Sequence, residues 1–177
     1  MYDIADDFQK ESITKNVLLN ENITKITTPY FEGYELDVMG KLGELDYIEN
    51  MLESYWKGML DMGATTVWEE FDPNVPSPEC YSMYENKYGK SLCHAWGAGP
   101  VYLLGKYYLG VRPTKPGYEE FEVAPNRGGF EFIEGTVPTG DGSVYVYLSK
   151  DRLEVKAETD GGTLVFGGKR YILEKNK

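Results

Sequence analysis

Histidine and cysteine are almost missing from this chain. His94 is the one histidine in 177 residues, which excludes a multi-histidine metal site and leaves zinc hydrolase chemistry without its usual nitrogen ligands. The two cysteines, Cys80 and Cys93, are too few for a disulfide scaffold. They flank a loop and read as free thiols of a reducing compartment, a single bridge between them being the alternative. No apolar run approaches the roughly 18–20 residues that cross a bilayer. Basic residues are scarce as well: 18 Lys and Arg face 29 Asp and Glu, for a net charge of −11. Nucleic acids and anionic membranes are bound through cationic side chains that displace counterions, so neither is expected as a partner. The opening Met1-Tyr2-Asp3-Ile4-Ala5-Asp6-Asp7 is acidic and lacks the basic-then-apolar pattern of a secretory signal. With the thiols it points to the cytoplasm, although a longer parent protein could be exported. A phosphate-binding loop, a dinucleotide-binding glycine pattern, a nucleophile elbow and a zinc signature are all lacking, and no cofactor or metal is expected.

Aromatic residues, by contrast, are plentiful: 15 Tyr, 7 Phe and 3 Trp. Flat rings suit a sugar-binding surface, but composition alone favours an ordinary aromatic core. The first two-thirds of the chain has helical spacing. From Thr28 to Leu42 the apolar positions Tyr30, Phe31, Tyr34, Val38 and Leu42 mark one face of a helix. Gly43 stops it, and a second helix over Leu45–Met62 carries the stripe Ile48, Leu52, Tyr55, Trp56 and Met59, ending at Gly63. So short a connection predicts an antiparallel hairpin. An earlier helix spans Ile4 to about Leu18. A fourth, over Ser91–Leu109, is apolar almost all round, as in a helix surrounded by other elements, with Pro100 expected to kink or divide it.

The character of the sequence changes at Gly110–Gly117, which holds two prolines and two glycines of its own at Gly110, Pro113, Pro116 and Gly117. Beyond it lie six short β-type runs, at Glu119–Val123, Phe130–Thr136, Val144–Ser149, Leu153–Ala157, Thr163–Phe166 and Lys169–Leu173, separated by Gly and Asp turns. The fold class is therefore α+β: a helical part over residues 1–112, followed by a small antiparallel β-sandwich over residues 113–177. The helices alone do not close a core. They must pack on the β module, self-associate, or form part of a larger architecture.

Two places could carry chemistry. Trp68-Glu69-Glu70 puts two adjacent carboxylates beside an indole after a helix end. Neighbours in a non-helical chain point different ways, so one can enter a pocket while the other meets solvent, and an apolar wall raises a carboxylate pKa toward acid–base work. The bland reading is surface packing. His94 sits in Ser91-Leu92-Cys93-His94-Ala95-Trp96-Gly97-Ala98-Gly99, where a lone histidine is commonly a satisfied core residue. Gly97 and Gly99 each cost a helix roughly 1 kcal/mol against alanine, a cost tolerated where another backbone or a ligand comes close.

Taken together these segments resemble a known family. Gly63-Ala64-Thr65-Thr66-Val67-Trp68-Glu69, Ser91 to Ala98, Gly110-Val111-Arg112-Pro113 and Pro116-Gly117-Tyr118 look like the last part of bacterial α-L-rhamnosidases of glycoside hydrolase family 78. Lys25-Ile26-Thr27-Thr28-Pro29-Tyr30-Phe31 and Glu134-Gly135-Thr136-Val137-Pro138-Thr139 fit in the same order. The resemblance implies an (α/α)6 barrel segment followed by a C-terminal β-sandwich. It implies inversion at the sugar, with one carboxylic acid protonating the leaving oxygen and one carboxylate activating water, roughly 6.5–9.5 Å apart. Glu69 matches the family's general base, with Glu70 as an off-motif alternative. His94 matches a histidine on rhamnose hydroxyls, and Trp68 and Trp96 would line or support the pocket. The expected ligand is a rhamnose-containing glycan or glycoside. Nothing here matches the family's general acid or most of its barrel, so the chain is expected to be incomplete and inactive alone. The rival readings are a noncatalytic carbohydrate-binding or structural remnant, and a subunit that needs a partner chain or the missing upstream part of the barrel.

Overall fold

The structure is a computed structural model that describes residues 4–175; the first three residues of the acidic opening stretch lie outside them. Asp6 opens the first helix. Its carboxylate accepts from the Gln9 N–H at 2.8 Å, and the Gln9 side chain accepts from the Asp6 N–H at 3.0 Å, a reciprocal cap that satisfies two otherwise orphaned donors. Helix α1 (Asp7–Ile13) then widens into a π-helical turn over Thr14–Leu18, and neither stretch buries a residue.

Helix α2 (Pro29–Leu42) begins on a proline, whose missing N–H costs nothing in a first turn, and stops at Gly43 with φ 85°. Helix α3 (Leu45–Met51) follows after Glu44 and continues through π-helical turns over Leu52–Trp56 into α4 (Lys57–Asp61). The two run antiparallel. Tyr47 donates to Glu35 Oε1 at 2.6 Å, and Tyr55, further along, donates to the Thr27 carbonyl, further back, at 2.6 Å. Ile48, Tyr55, Trp56 and Met59 are buried as the second stripe requires. The first stripe is corrected: Tyr30, Phe31 and Tyr34 are exposed, and α2 instead buries Pro29, Glu32, Leu36, Asp37 and Met39. Helix α2 carries an aliphatic row and an aromatic row, and periodicity does not rank them. The aliphatic row goes inside, while tyrosine rings with polar tips tolerate the surface.

The expected helix over Ser91–Leu109 is shorter at its start. Residues 91–94 are not helical and bend at Leu92: the Glu69 N–H donates to the Ser91 carbonyl at 3.0 Å and the His94 N–H to that of Val67 at 2.9 Å. Ala95–Gly97 make a 3-10 turn, and α5 (Gly99–Leu103) starts only at Gly99, passing into π-helical turns over Leu104–Tyr108. Pro100 lies in the first turn, where it starts the helix rather than kinking it. The two glycines do permit close approach. A Cβ on Gly97 would lie 3.0 Å from the Val67 side chain, and one on Gly99 would lie 3.6 Å from Gly33 Cα. The Trp56 indole donates to the Gly97 carbonyl at 2.8 Å.

Residues up to Gly99 form one compact unit and those from Pro100 a second, so the last helix is grouped with the strands. The second unit holds β1 (Val111–Pro113), β2 (Phe121–Val123), β3 (Phe132–Pro138), β4 (Ser143–Ser149), β5 (Leu153–Ala157), β6 (Gly162–Phe166) and β7 (Lys169–Leu173). They form a four-stranded sheet in the order β1-β2-β6-β7 and a three-stranded meander β3-β4-β5. All pairings are antiparallel except β2 with β6. Val144, Val146 and Leu148 are buried while the residues between them are not, the alternation of a half-buried strand. Strand β1 was read as linker, since Pro113 and the nearby glycines mask its short Val111-Arg112 pairing with Val123 and Glu122.

Candidate functional site

The two adjacent glutamates meet different fates. Glu70 is tied by an ion pair to Lys90, whose Nζ lies 2.7 Å from Oε2 and whose side chain is 2% exposed. The same ammonium also donates to the Cys80 carbonyl. Glu69 has no such cation. Its Oε2 accepts from the Ser91 N–H at 3.0 Å and its Oε1 from the Tyr84 hydroxyl at 3.2 Å. Consecutive residues, Lys90 and Ser91, thus hold consecutive carboxylates. Two backbone hydrogen bonds, Glu69 to Ser91 and His94 to Val67, bring these stretches together, and neighbouring side chains in a non-helical chain point different ways.

His94 belongs to the same pairing. Its Nδ1 lies 3.9 Å from Glu69 Oε2, too far for a hydrogen bond but close enough for both to contact one small polar ligand. The imidazole packs against Trp96 with ring centroids 4.0 Å apart. Trp96 is 45% exposed and leans on Tyr30 at 5.3 Å, which meets Tyr34 edge-on at 5.1 Å. The largely enclosed Glu69 carboxylate, the half-buried imidazole and an exposed row of rings therefore lie side by side, with the rings at the surface. Such an arrangement can accept a proton, orient hydroxyls and stack on the apolar face of a ring-shaped ligand.

Of the four residues singled out in the sequence, Glu69, His94 and Trp96 are brought together. Trp68 is enclosed, 3% exposed, with Phe71 and Tyr81 edge-on at 5.9 and 5.6 Å. It supports the irregular segment that carries Glu69 and offers no free face. Two participants, Tyr84 and Lys90, carried no sequence signal, and Ser91 was seen only as the start of a motif; all three act through the loop that returns residues 80–94 to residues 67–70. Tyr30 and Tyr34 were visible, but as core. Among the described residues no cluster of three or more His, Cys, Asp or Glu side chains is arranged to hold a metal ion.

One further carboxyl is unusual. Glu32 is 2% exposed and its Oε1 has no hydrogen-bond partner. Burial, reinforced by the Glu35 charge and opposed by Lys25, pushes its pKa up to about 8. It is a neutral acid at pH 7, but its surroundings are Lys25, Glu35, Tyr47 and Tyr55, not those of Glu69.

Residues 36–108 match the family described as the bacterial alpha-L-rhamnosidase 6 hairpin glycosidase domain. Among solved structures, a GH78 family rhamnosidase of Bacillus sp. GL1 superposes with a TM-score of 0.67 at 24% identity, over 87% of this chain. The chain spans only 17% of that protein's length. No curated protein matches it. The segment 36–108 carries the sequence pattern of the six-hairpin rhamnosidase domain, and the chain shares its fold with part of a family 78 rhamnosidase.

Proposed function

We propose that this chain supplies the base side of an inverting α-L-rhamnosidase site. Glu69 takes a proton from the attacking water, and the water oxygen bonds to the anomeric carbon as the bond to the leaving oxygen breaks. The leaving oxygen is protonated by a carboxylic acid outside this chain, roughly 6.5–9.5 Å from Glu69. His94 orients sugar hydroxyls and Trp96 stacks on the ring, while the enclosed Trp68 stiffens the segment beneath. The expected ligand is terminal α-L-rhamnose on a glycan or glycoside. The observation that carries this reading is the unequal holding of the two glutamates: Lys90 neutralises Glu70, whereas Glu69 faces His94 with only neutral donors on its oxygens.

The test is titration of the purified chain with L-rhamnose, followed by ¹⁵N–¹H NMR, alongside hydrolysis of an aryl α-L-rhamnoside. The expected result is saturable shifts centred on Ser91–Trp96 that vanish in His94→Ala, with no turnover until a chain carrying the missing barrel helices is added. Turnover that then appears must be lost in Glu69→Gln. Shifts confined to the strands, or none at all, would refute the reading.

A further inference from the structure

The turn that brings Tyr84 to Glu69 is built against local preference. Met83 and Asn86 exchange both backbone hydrogen bonds at 3.0 Å, and the two residues between them, Tyr84 and Glu85, have φ of 53° and 59°. Two consecutive positive φ values are the signature of a type I′ turn, which ordinarily takes Asn-Gly or Gly-Gly. Here both positions hold bulky residues with a Cβ, in a conformation that L-residues avoid. The turn is locked from behind by Gly89, where an added Cβ would lie 2.2 Å from the Met83 carbonyl oxygen. Strain of this kind persists only where the surroundings over-determine it, and it gathers at functional sites.

What the strained turn delivers is a single contact. The Tyr84 ring is otherwise exposed, at 74%, so packing does not explain its position. Its hydroxyl reaches Glu69 Oε1 while the Ser91 N–H holds Oε2. Two donors, one on each oxygen, fix both the plane and the rotation of a carboxylate. Either one alone leaves it free to swing.

We infer that Tyr84 is a positioning residue for Glu69, held on the carboxylate by the strained Met83–Asn86 turn so that the base meets water in one orientation. The inference rests on Glu69 being the base, yet the positioning itself can be measured without turnover. The phenol's own ionisation is a reporter, because the adjacent Glu69 carboxylate raises it above the ordinary tyrosine value, through the hydrogen bond first and the charge second.

The experiment uses the full chain with [¹³Cζ]-tyrosine and ¹⁵N labels. The Tyr84 resonance should titrate at higher pH in the wild type than in Glu69→Gln, where the carboxylate that raises it is gone. In Tyr84→Phe the remaining amide spectrum should stay in place while the Ser91 amide moves upfield and exchanges with deuterium roughly 5-fold faster, as expected when its acceptor loosens. Gly89→Ala, which displaces the turn but keeps the phenol, should reproduce the Ser91 change. A Ser91 amide unmoved in Tyr84→Phe, or a Tyr84 titration indifferent to Glu69→Gln, overturns the inference. An L-rhamnose titration of the same samples separates the two ideas. If Tyr84 and Ser91 respond as stated but no residue responds to the sugar, the positioning stands and the rhamnosidase reading falls.

Discussion

Lys90 and Glu70 form an ion pair of 2.7 Å in which the lysine is the more deeply enclosed partner, its side chain 2% exposed against 22% for the glutamate. The pair gives Glu70 a lysine partner, while Glu69 is held by the Ser91 N–H and the Tyr84 hydroxyl. The pair also ties the loop bearing Cys80 to the segment bearing Glu69 and Glu70, since the ammonium holds the Cys80 carbonyl as well. Removing the cation strands a largely buried anion and an unsatisfied carbonyl. Lys90→Met should cost about 2–4 kcal/mol in urea unfolding, and the double variant Lys90→Met with Glu70→Gln should recover part of it. Additive losses would mean that the two residues do not interact in solution.

The buried acid Glu32 makes stability depend on pH in a direction opposite to ordinary acid denaturation. Its carboxyl ionises near pH 4.5 when exposed and at about 8 when folded. Between those values the folded chain holds one proton more than the unfolded chain, so this group's contribution to stability falls as pH rises and is flat outside the window. Glu32→Gln, close in shape and always neutral, removes the slope. Its stability relative to the wild type should improve by roughly 2–4 kcal/mol from pH 4 to pH 8. Parallel stability curves for the two proteins would refute the assignment.

The two tryptophans flanking the site should behave oppositely. Trp68→Ala empties a core position and should lower stability by about 3–5 kcal/mol. Trp96→Ala, at a ring 45% exposed, should leave the unfolding midpoint nearly unchanged but weaken L-rhamnose roughly 3- to 10-fold, the usual worth of an aromatic contact. Calorimetry and unfolding of both variants check this. Weaker sugar binding only in proportion to lost stability would remove Trp96 from the site.

How much of this was legible in the sequence depended on distance along the chain. The α2–α3 hairpin, with its glycine stops at Gly43 and Gly63, was readable because periodicity and capping are local. So were the six strands from β2 to β7. The site was partly readable: Glu69, His94 and Trp96 were found through a resemblance of motifs, and the structure brings them together. The rest was hidden for physical reasons. Ser91–His94 continue an apolar run that reads as helix, yet their backbone bonds go to Val67 and Glu69, residues more than twenty positions away. Tyr84 could not be foreseen, since the two central positions of its turn lack the glycine or asparagine that marks such turns. The face buried by α2 was misread because Tyr30, Phe31 and Tyr34 share the spacing of core residues while standing at the surface.

The parallel pairing of β2 with β6 sets an order of assembly. Strands β3, β4 and β5 pair in register with their sequence neighbours, apart from one bridge from Ala157 to Lys175, so their ladder can close as soon as Ala157 is made. Strand β2, by contrast, gains its second neighbour only when Gly162–Phe166 arrive, after the whole meander has passed. Pairings of such long sequence separation form late. During synthesis the β1–β2 ribbon, with Phe121 and Val123 on it, stands as an open edge able to recruit any extended segment nearby. Chains cut short before Gly162 should therefore aggregate through this ribbon even when their meander is already folded.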